Sequence, residues 1–438
     1  MISIKDNKIR WAISAILALL ILFGTYRSFF SLAAFLICGL LLVFCDKETN
    51  LLQMFFLMPM SSIFKFSPET QSFFTIVMLI YVVLHLVLPR KATLVVILFA
   101  LYLFLGQLFA GSFNLFRTIK LICNLLFLSC TLNGKVKISH KEIFFSYIVG
   151  NIVASVMAKM DSGFFKIHDF VTMKELGGES FKDIIRFSGL YSDPNYYSVA
   201  LIVSLCLLIV LFYRNEITFK LMLAFSAVLI YFLIITYSKS AFIMLVVPLF
   251  FLEYTFCNKK QYHFVLLSIF ILLAVTALVM SGQISALDVI IERMTEMDSE
   301  NFDISQATTG RFDLWLMYAR FLAKNIKAAL FGLGISSPLL NGAAAHNSYF
   351  DILYYLGVIG SGLLITTLVT ISSQGFKKIR RCFLNYSVLL CIVVMYFFLS
   401  ELFYFDPPYH FFLAFVVLNL PLCNRSALPP RIESKEKM

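Results

Sequence analysis

Residues 196–213 read YYSVALIVSLCLLIVLFY, an uncharged run closed at one end by Asp193-Pro194-Asn195 and at the other by Arg214. About 20 apolar residues carry a helix through the hydrocarbon core of a bilayer. A helix that is apolar on every face has no side to offer water and belongs in a membrane or a large core. The same reading extends outward in both directions. Further apolar runs lie at about 10–25, 29–45, 51–64, 72–88, 93–110, 113–131, 142–158, 218–237, 240–256, 262–281, 347–371, 383–401 and 409–423. Together they predict one all-α membrane domain over 1–438, a polytopic bundle of twelve to fourteen transmembrane helices. The uncertain member is 51–64, which is short and contains Pro59.

Composition excludes a water-soluble globule. The 438 residues are 60% hydrophobic and 14% charged, where soluble domains carry about 25% charged residues. Mean hydropathy is +0.87. The net charge of +11 invites a nucleic-acid reading, but Lys and Arg are confined to short segments between apolar runs, as in cytoplasmic loops of membrane proteins. Neither a Gly-rich nucleotide loop nor CxxC or HExxH metal spacing occurs, so no cofactor and no metal is expected. The nine cysteines fall within spans or at their cytoplasmic ends, and no outer disulfide is expected. Lys5, Lys8 and Arg10 before apolar 11–24 imitate a signal peptide, but nothing convincing follows as a cleavage site and more spans come at once. The segment reads as an uncleaved first helix.

Sidedness follows from the basic loops. Arg90-Lys91, Lys135/Lys137/Lys141, Arg214/Lys220, Lys259-Lys260 and Lys377-Lys378-Arg380-Arg381 share one side if spans alternate. That side is cytoplasmic by the positive-inside rule, which puts both termini in the cytoplasm. Two outer segments, 159–195 and 282–346, are then much longer than a turn. Connections of that length in a compact protein are usually functional or disordered. Both mix charge, glycine, aromatics and helix-like stretches, so function is expected there.

The second loop contains a helical pattern. Asp313, Arg320, Lys324 and Lys327 fall on one face, with Trp315, Tyr318, Leu322 and Ile326 opposite. That pattern predicts an amphipathic helix in the membrane interface, ended by Gly332-Leu333-Gly334. Arg311 either projects from the apolar side, toward the protein body or headgroups, or merely precedes the helix in solvent. In the first loop, Asp193-Pro194-Asn195 starts a helix. Asp193 or Asn195 either caps span 196–213 or joins Arg186 in an anion site at the helix N-terminus. Lys239, between Ser238 and Ser240, is an interface anchor or a phosphate-binding point charge. Arg117 and Lys120 face the same choice. His346 stands where the second loop re-enters the membrane, in the range suited to proton transfer near neutrality. Asn347 beside it is a natural helix cap. Of the other histidines, only His410 rivals it at the outer surface.

In order, these pieces resemble the O-antigen polymerase and O-antigen ligase superfamily of bacterial envelopes. They are Arg186-x-x-Gly189…Asp193-Pro194-Asn195, Thr236-Tyr237-Ser238-Lys239-Ser240, Thr309-Gly310-Arg311…Trp315, Gly332-x-Gly334 and His346-Asn347…Gly357-x-x-Gly360. They cover about 186–360. The resemblance implies inverting, metal-independent transfer of a glycan from undecaprenyl diphosphate at the periplasmic face of the inner membrane. A polymerase delivers the chain to the next lipid-linked repeat unit, and a ligase delivers it to lipid A–core. The Asp-Pro-Asn-Tyr motif and the Phe- and Tyr-rich spans favour polymerase. A chain-length regulator is the protein partner this implies. Arg186, Arg311 and Lys239 become candidates for the diphosphate, with Asn195 and Asn347 beside them. His346 is first choice as general base and Asp193 second. Family members often have Arg where this chain has Lys239, which keeps charge but loses the bidentate fork. A flippase for the same lipid-linked sugar is the reading from another class, but internal repeats and mid-membrane charges are missing.

Overall fold

The computed structural model describes residues 6–110, 114–133, 139–171, 186–238 and 311–372, with 241, 245, 389, 393 and 396–398. The expected spans 262–281 and 409–423 lie outside the described residues. So do most of 240–256 and 383–401, residues 172–185 of the first long loop and 282–310 of the second, Lys239 and His410. The described chain is helical, and no strand occurs among its residues.

The helices are α1 (Asn7–Gly24), α2 (Ser28–Phe44), α3 (Lys47–Leu57), α4 (Phe73–His85), α5 (Arg90–Ala110), α6 (Leu115–Asn133) and α7 (His140–Lys159). After the single turn α8 (Ile167–Phe170) come α9 (Pro194–Tyr213), α10 (Phe219–Ile234), α11 (Arg311–Lys324), α12 (Ile326–Phe331) and α13 (Ser348–Ile371). Six of them (α1, α5, α6, α7, α9 and α13) are long and apolar enough to cross a membrane. The apolar helices α2, α4 and α10 are shorter.

Local sequence sets the helix starts. Asp6, Asp46, Ser72, Ser139, Asp193, Thr218 and Asn347 each cap the helix that follows, accepting a backbone N–H in its first turn. Proline explains two departures from the expected spans. The run 51–64 forms only the 11-residue α3, continued by a 3-10 turn at Met58–Met60 around Pro59. The run 72–88 stops at His85, because the residues ahead of Pro89 are pushed out of helical geometry.

Polarity is distributed as a lipid environment demands. On α5, Leu94, Ile97, Leu101, Leu105 and Leu108 form an exposed stripe at helical spacing. A soluble monomer rarely exposes an apolar patch of that extent. Polar side chains instead pair inside. Asn151 of α7 donates to Ser204 Oγ of α9 at 3.3 Å, and the buried Tyr197 hydroxyl donates to Ser155 Oγ at 2.5 Å. Such interhelical hydrogen bonds join helices that lipid gives no hydrophobic reason to associate. The chain is a membrane-embedded helical bundle.

Cross-links at the two ends show the helices alternating in direction. At one end Arg10 of α1 pairs with Glu142 of α7 at 2.9 Å. There too Asn133 of α6 donates to the Ile371 carbonyl of α13 at 3.2 Å. At the other end Ser62 donates to the Leu190 carbonyl just ahead of α9. Arg117 of α6 donates to the Ile335 carbonyl there at 3.2 Å. The described parts of both long loops share this second end.

One helix is broken. Inside α13, Gly357 has φ 62° and ψ −177°, so the Tyr354 and Tyr355 carbonyls lose their helical partners. The segment after α12 crosses at this break, and the Leu333 and Gly334 amides donate to those two carbonyls, each at 2.9 Å. The Tyr102 hydroxyl of α5 lies 2.6 Å from both the Phe331 and the Leu356 carbonyls. Only glycine fits at the crossing. A Cβ on Gly332 would stand 2.3 Å from the Tyr355 oxygen, and one on Gly357 would stand 2.4 Å from the Gly332 nitrogen. Non-helical backbone at this depth persists because its polar groups are satisfied by protein.

Candidate functional site

The first half of the site is built around Asn195. The segment ahead of α9 runs beside the end of α10, with the Phe187 amide donating to the Ile235 carbonyl at 3.2 Å. This aims the Arg186 guanidinium across the N-terminus of α9. Its Nε donates to the Thr236 carbonyl at 3.2 Å and Nη2 to Asn195 Oδ1 at 3.4 Å. The same Asn195 oxygen accepts from the Ser238 hydroxyl at 2.5 Å. Thr236 is buried and its hydroxyl accepts from Ser198 at 3.3 Å, which ties α9 to the end of α10. Two motifs about 40 residues apart in the chain therefore meet at one amide side chain.

Asp193 is the N-cap of α9, its carboxylate accepting from the Asn195 amide at 2.7 Å. It is buried at 8% exposure. Arg311, the first described residue of α11, lies in its electrostatic reach. Burial pulls the Arg311 guanidinium below its ordinary value, and Asp193 and Tyr196 act in the opposite direction. An arginine remains cationic through such a shift. Of the two sequence readings of Arg311, the structure selects the one in which it turns toward the protein body.

The second half is the α11–α13 unit. The expected interfacial helix is present as α11, but its aromatic face is not laid on headgroups. Trp315 Nε1 donates to the Ala345 carbonyl at 3.0 Å, and the buried Tyr318 donates to the Ala343 carbonyl at 2.8 Å. Tyr318 and Phe321 pack on Tyr354 of α13 with ring centroids 5.2 and 5.6 Å apart. Lys327 and Ile326 belong to α12, because the helix breaks at Asn325. Gly332 ends α12 with φ 68°, as the glycine pattern predicts.

His346 follows Ala345, so the Trp315–Ala345 bond brings it beside the turn of α11 that begins at Arg311. Its own φ is 49°, in the left-handed region. Asn347 is the cap of α13, accepting from Tyr349 at 3.0 Å and Phe350 at 3.4 Å. Among the described residues, non-glycine positive φ occurs at Asn215, Tyr237, Asn341 and His346. Asparagine and histidine are both enriched in that region, whereas Tyr237 is strained there. Tyr237 and His346 both lie within the motifs singled out in the sequence. Lys239, next to Ser238, lies outside the described residues.

Arg117 donates to the Ile335 carbonyl and so holds the segment after Gly334. Asp351 escaped the sequence reading as a site residue. It is buried at 3% exposure in the first turn of α13 and faces Tyr318, whose phenol is pushed up to about 12, first by burial and then by this carboxylate. A carboxylate in an apolar run was the available signal, because ionisable residues inside membranes are functional candidates by default.

The arrangement offers two guanidinium groups, a buried carboxylate, a hydroxyl–amide pair and an imidazole at one end of the bundle. Its chemical capacity is to hold an anion near a proton acceptor. Neither the models of known protein families nor the curated protein sequences give a match to this chain.

Proposed function

We propose that the protein is a polymerase of surface polysaccharide, acting at the periplasmic face of the inner membrane with both termini in the cytoplasm. It transfers a growing glycan from undecaprenyl diphosphate to the next lipid-linked repeat unit. The observation that carries this reading is the convergence of Arg186, Asn195, Ser238, Asp193 and Arg311 on the N-terminus of α9. Two guanidinium groups at a helix N-terminus suit a diphosphate, through charge-assisted hydrogen bonds and the helix dipole.

In the proposed step the acceptor sugar hydroxyl attacks the anomeric carbon from the side opposite the diphosphate. The new C–O bond forms as the bond from the anomeric carbon to the diphosphate oxygen breaks. Polyprenyl diphosphate leaves with the electron pair, Arg186 and Arg311 stabilise the developing charge, and His346 takes the hydroxyl proton. The anomeric centre is inverted. Asp193 serves here as cap and charge partner of Arg311, leaving His346 as the base.

A chromosomal deletion tests the class. Loss of a polymerase leaves lipid A–core carrying one repeat unit. Bare core would instead assign the ligase reaction, and accumulation of unflipped lipid-linked repeat unit would assign transport.

A further inference from the structure

We propose that the opposite end of the bundle holds a separate site for the headgroup of a phospholipid carrying a primary amine. A cavity of about 140 Å³ opens there between α1, α3 and α7. Its rim carries Arg10, Lys141 and Glu142, and its floor is closed by Ser14 and Gln53. The floor is fixed, since Ser14 donates to Gln53 Oε1 at 2.9 Å and Gln53 Nε2 donates to the Arg10 carbonyl at 3.1 Å.

The charges on the rim define the ligand. Two cations stand beside one carboxylate, and the Arg10–Glu142 pair at 2.9 Å is only partly buried, with side chains 16% and 35% exposed. The surplus positive charge matches a phosphodiester, drawn by Arg10 and Lys141. Glu142 matches an ammonium group a few bonds farther along the same headgroup. A glycerol headgroup would offer that carboxylate hydroxyls but no second cation beside Arg10. A trimethylammonium group has no N–H to donate to it.

The surroundings define a lipid rather than a free anion. Trp11 stands at the cavity, 37% exposed, held edge-on by Phe56 and Phe145 at 6.1 and 6.4 Å. Tryptophan in this setting marks the level where headgroups meet hydrocarbon. The cavity shares no residue with the site around Asn195.

Native mass spectrometry of the delipidated full-length protein tests this, with dioleoyl phosphatidylethanolamine, phosphatidylglycerol and phosphatidylcholine as separate probes. Phosphatidylethanolamine should bind as one retained copy, about tenfold tighter than either other lipid, the worth of one charge-assisted hydrogen bond. Lys141→Glu, a change at an exposed position, should lose about tenfold of that affinity with an unchanged melting temperature in detergent. Glu142→Gln should erase the preference over phosphatidylglycerol. Equal binding of the three lipids, tighter phosphatidylglycerol, or wild-type retention in Lys141→Glu would overturn the proposal. Displacement by millimolar inorganic phosphate would also overturn it, making the cavity a free-anion site.

Discussion

Helices α9 and α13 begin at the same end of the bundle, each on an Asx cap beside a candidate residue, yet they are held in opposite ways. The apolar window of α9 is 89% buried and its dihedrals are uninterrupted, whereas that of α13 is 44% buried and the helix breaks at Gly357. A helix surrounded by protein is positioned by packing. One with less of its apolar window buried is held by additional fixings, because apolar packing alone gives helices in lipid little reason to associate. In α13 those fixings are backbone hydrogen bonds at the break, from Leu333 and Gly334, and the Tyr102 hydroxyl. The Arg186 side of the site is thus a fixed wall. The His346 side hangs on a joint made of two glycines.

The largest expected effect breaks that joint. Gly357→Val or Gly332→Val places a β-branched side chain at φ 62° or 68°, with Cβ inside contact distance of backbone. Strain and overpacking together cost about 3–5 kcal/mol. The expected outcome is loss of folded protein, read as yield and melting temperature in detergent. Wild-type melting in both variants would mean that the crossing does not hold α13.

Next comes the fixed wall. Arg186→Ala removes charged hydrogen bonds to the Thr236 carbonyl and Asn195, and should cost about 1.5–3 kcal/mol in stability. Arg186→Lys keeps the charge but not the two-point geometry, so it should recover little of that loss. Full recovery of the melting temperature by lysine would show that charge alone holds the wall.

Smaller effects sharpen the contrast. Tyr102→Phe removes one hydroxyl from the joint and should cost about 1 kcal/mol. Asn347→Ala and Asp193→Ala each remove a helix cap, at about 1 kcal/mol. Glycan transfer should fall in both, but for different reasons. Asn347→Ala loosens the end of α13 beside His346, whereas Asp193→Ala also deprives Arg311 of its carboxylate. Hydrogen exchange should then rise in the first turn of α13 in the former variant, and in the latter rise only at the Asn195 end of α9, with the buried remainder of that helix staying low.

This contrast also explains what the sequence disclosed. The run 196–213 announces α9 because an uncharged stretch of that length has one physical solution. The caps of α9 and α13 were readable because Asp and Asn do that work with local partners. Pro59 warned that 51–64 would not make a full helix. The meeting of Arg186 with residue 236 was hidden, since the acceptor is a backbone carbonyl and leaves no mark in composition. The break at Gly357 was hidden for another reason. Glycine is common in membrane helices, and only its approach to Gly332 in three dimensions shows the need for both. The aromatic face of α11 was read correctly as apolar but assigned to lipid headgroups, because periodicity states which face is apolar and not what covers it.

The most direct test of the central claim uses proteoliposomes supplied with undecaprenyl-diphosphate-linked repeat unit as both donor and acceptor. The wild-type protein should build a ladder of glycan lengths. His346→Ala should retain the lipid-linked substrate on the protein and build no ladder, while Arg311→Ala should lose substrate retention as well. A wild-type ladder from His346→Ala, or substrate flipped across the bilayer without any ladder from the wild-type protein, would contradict the account.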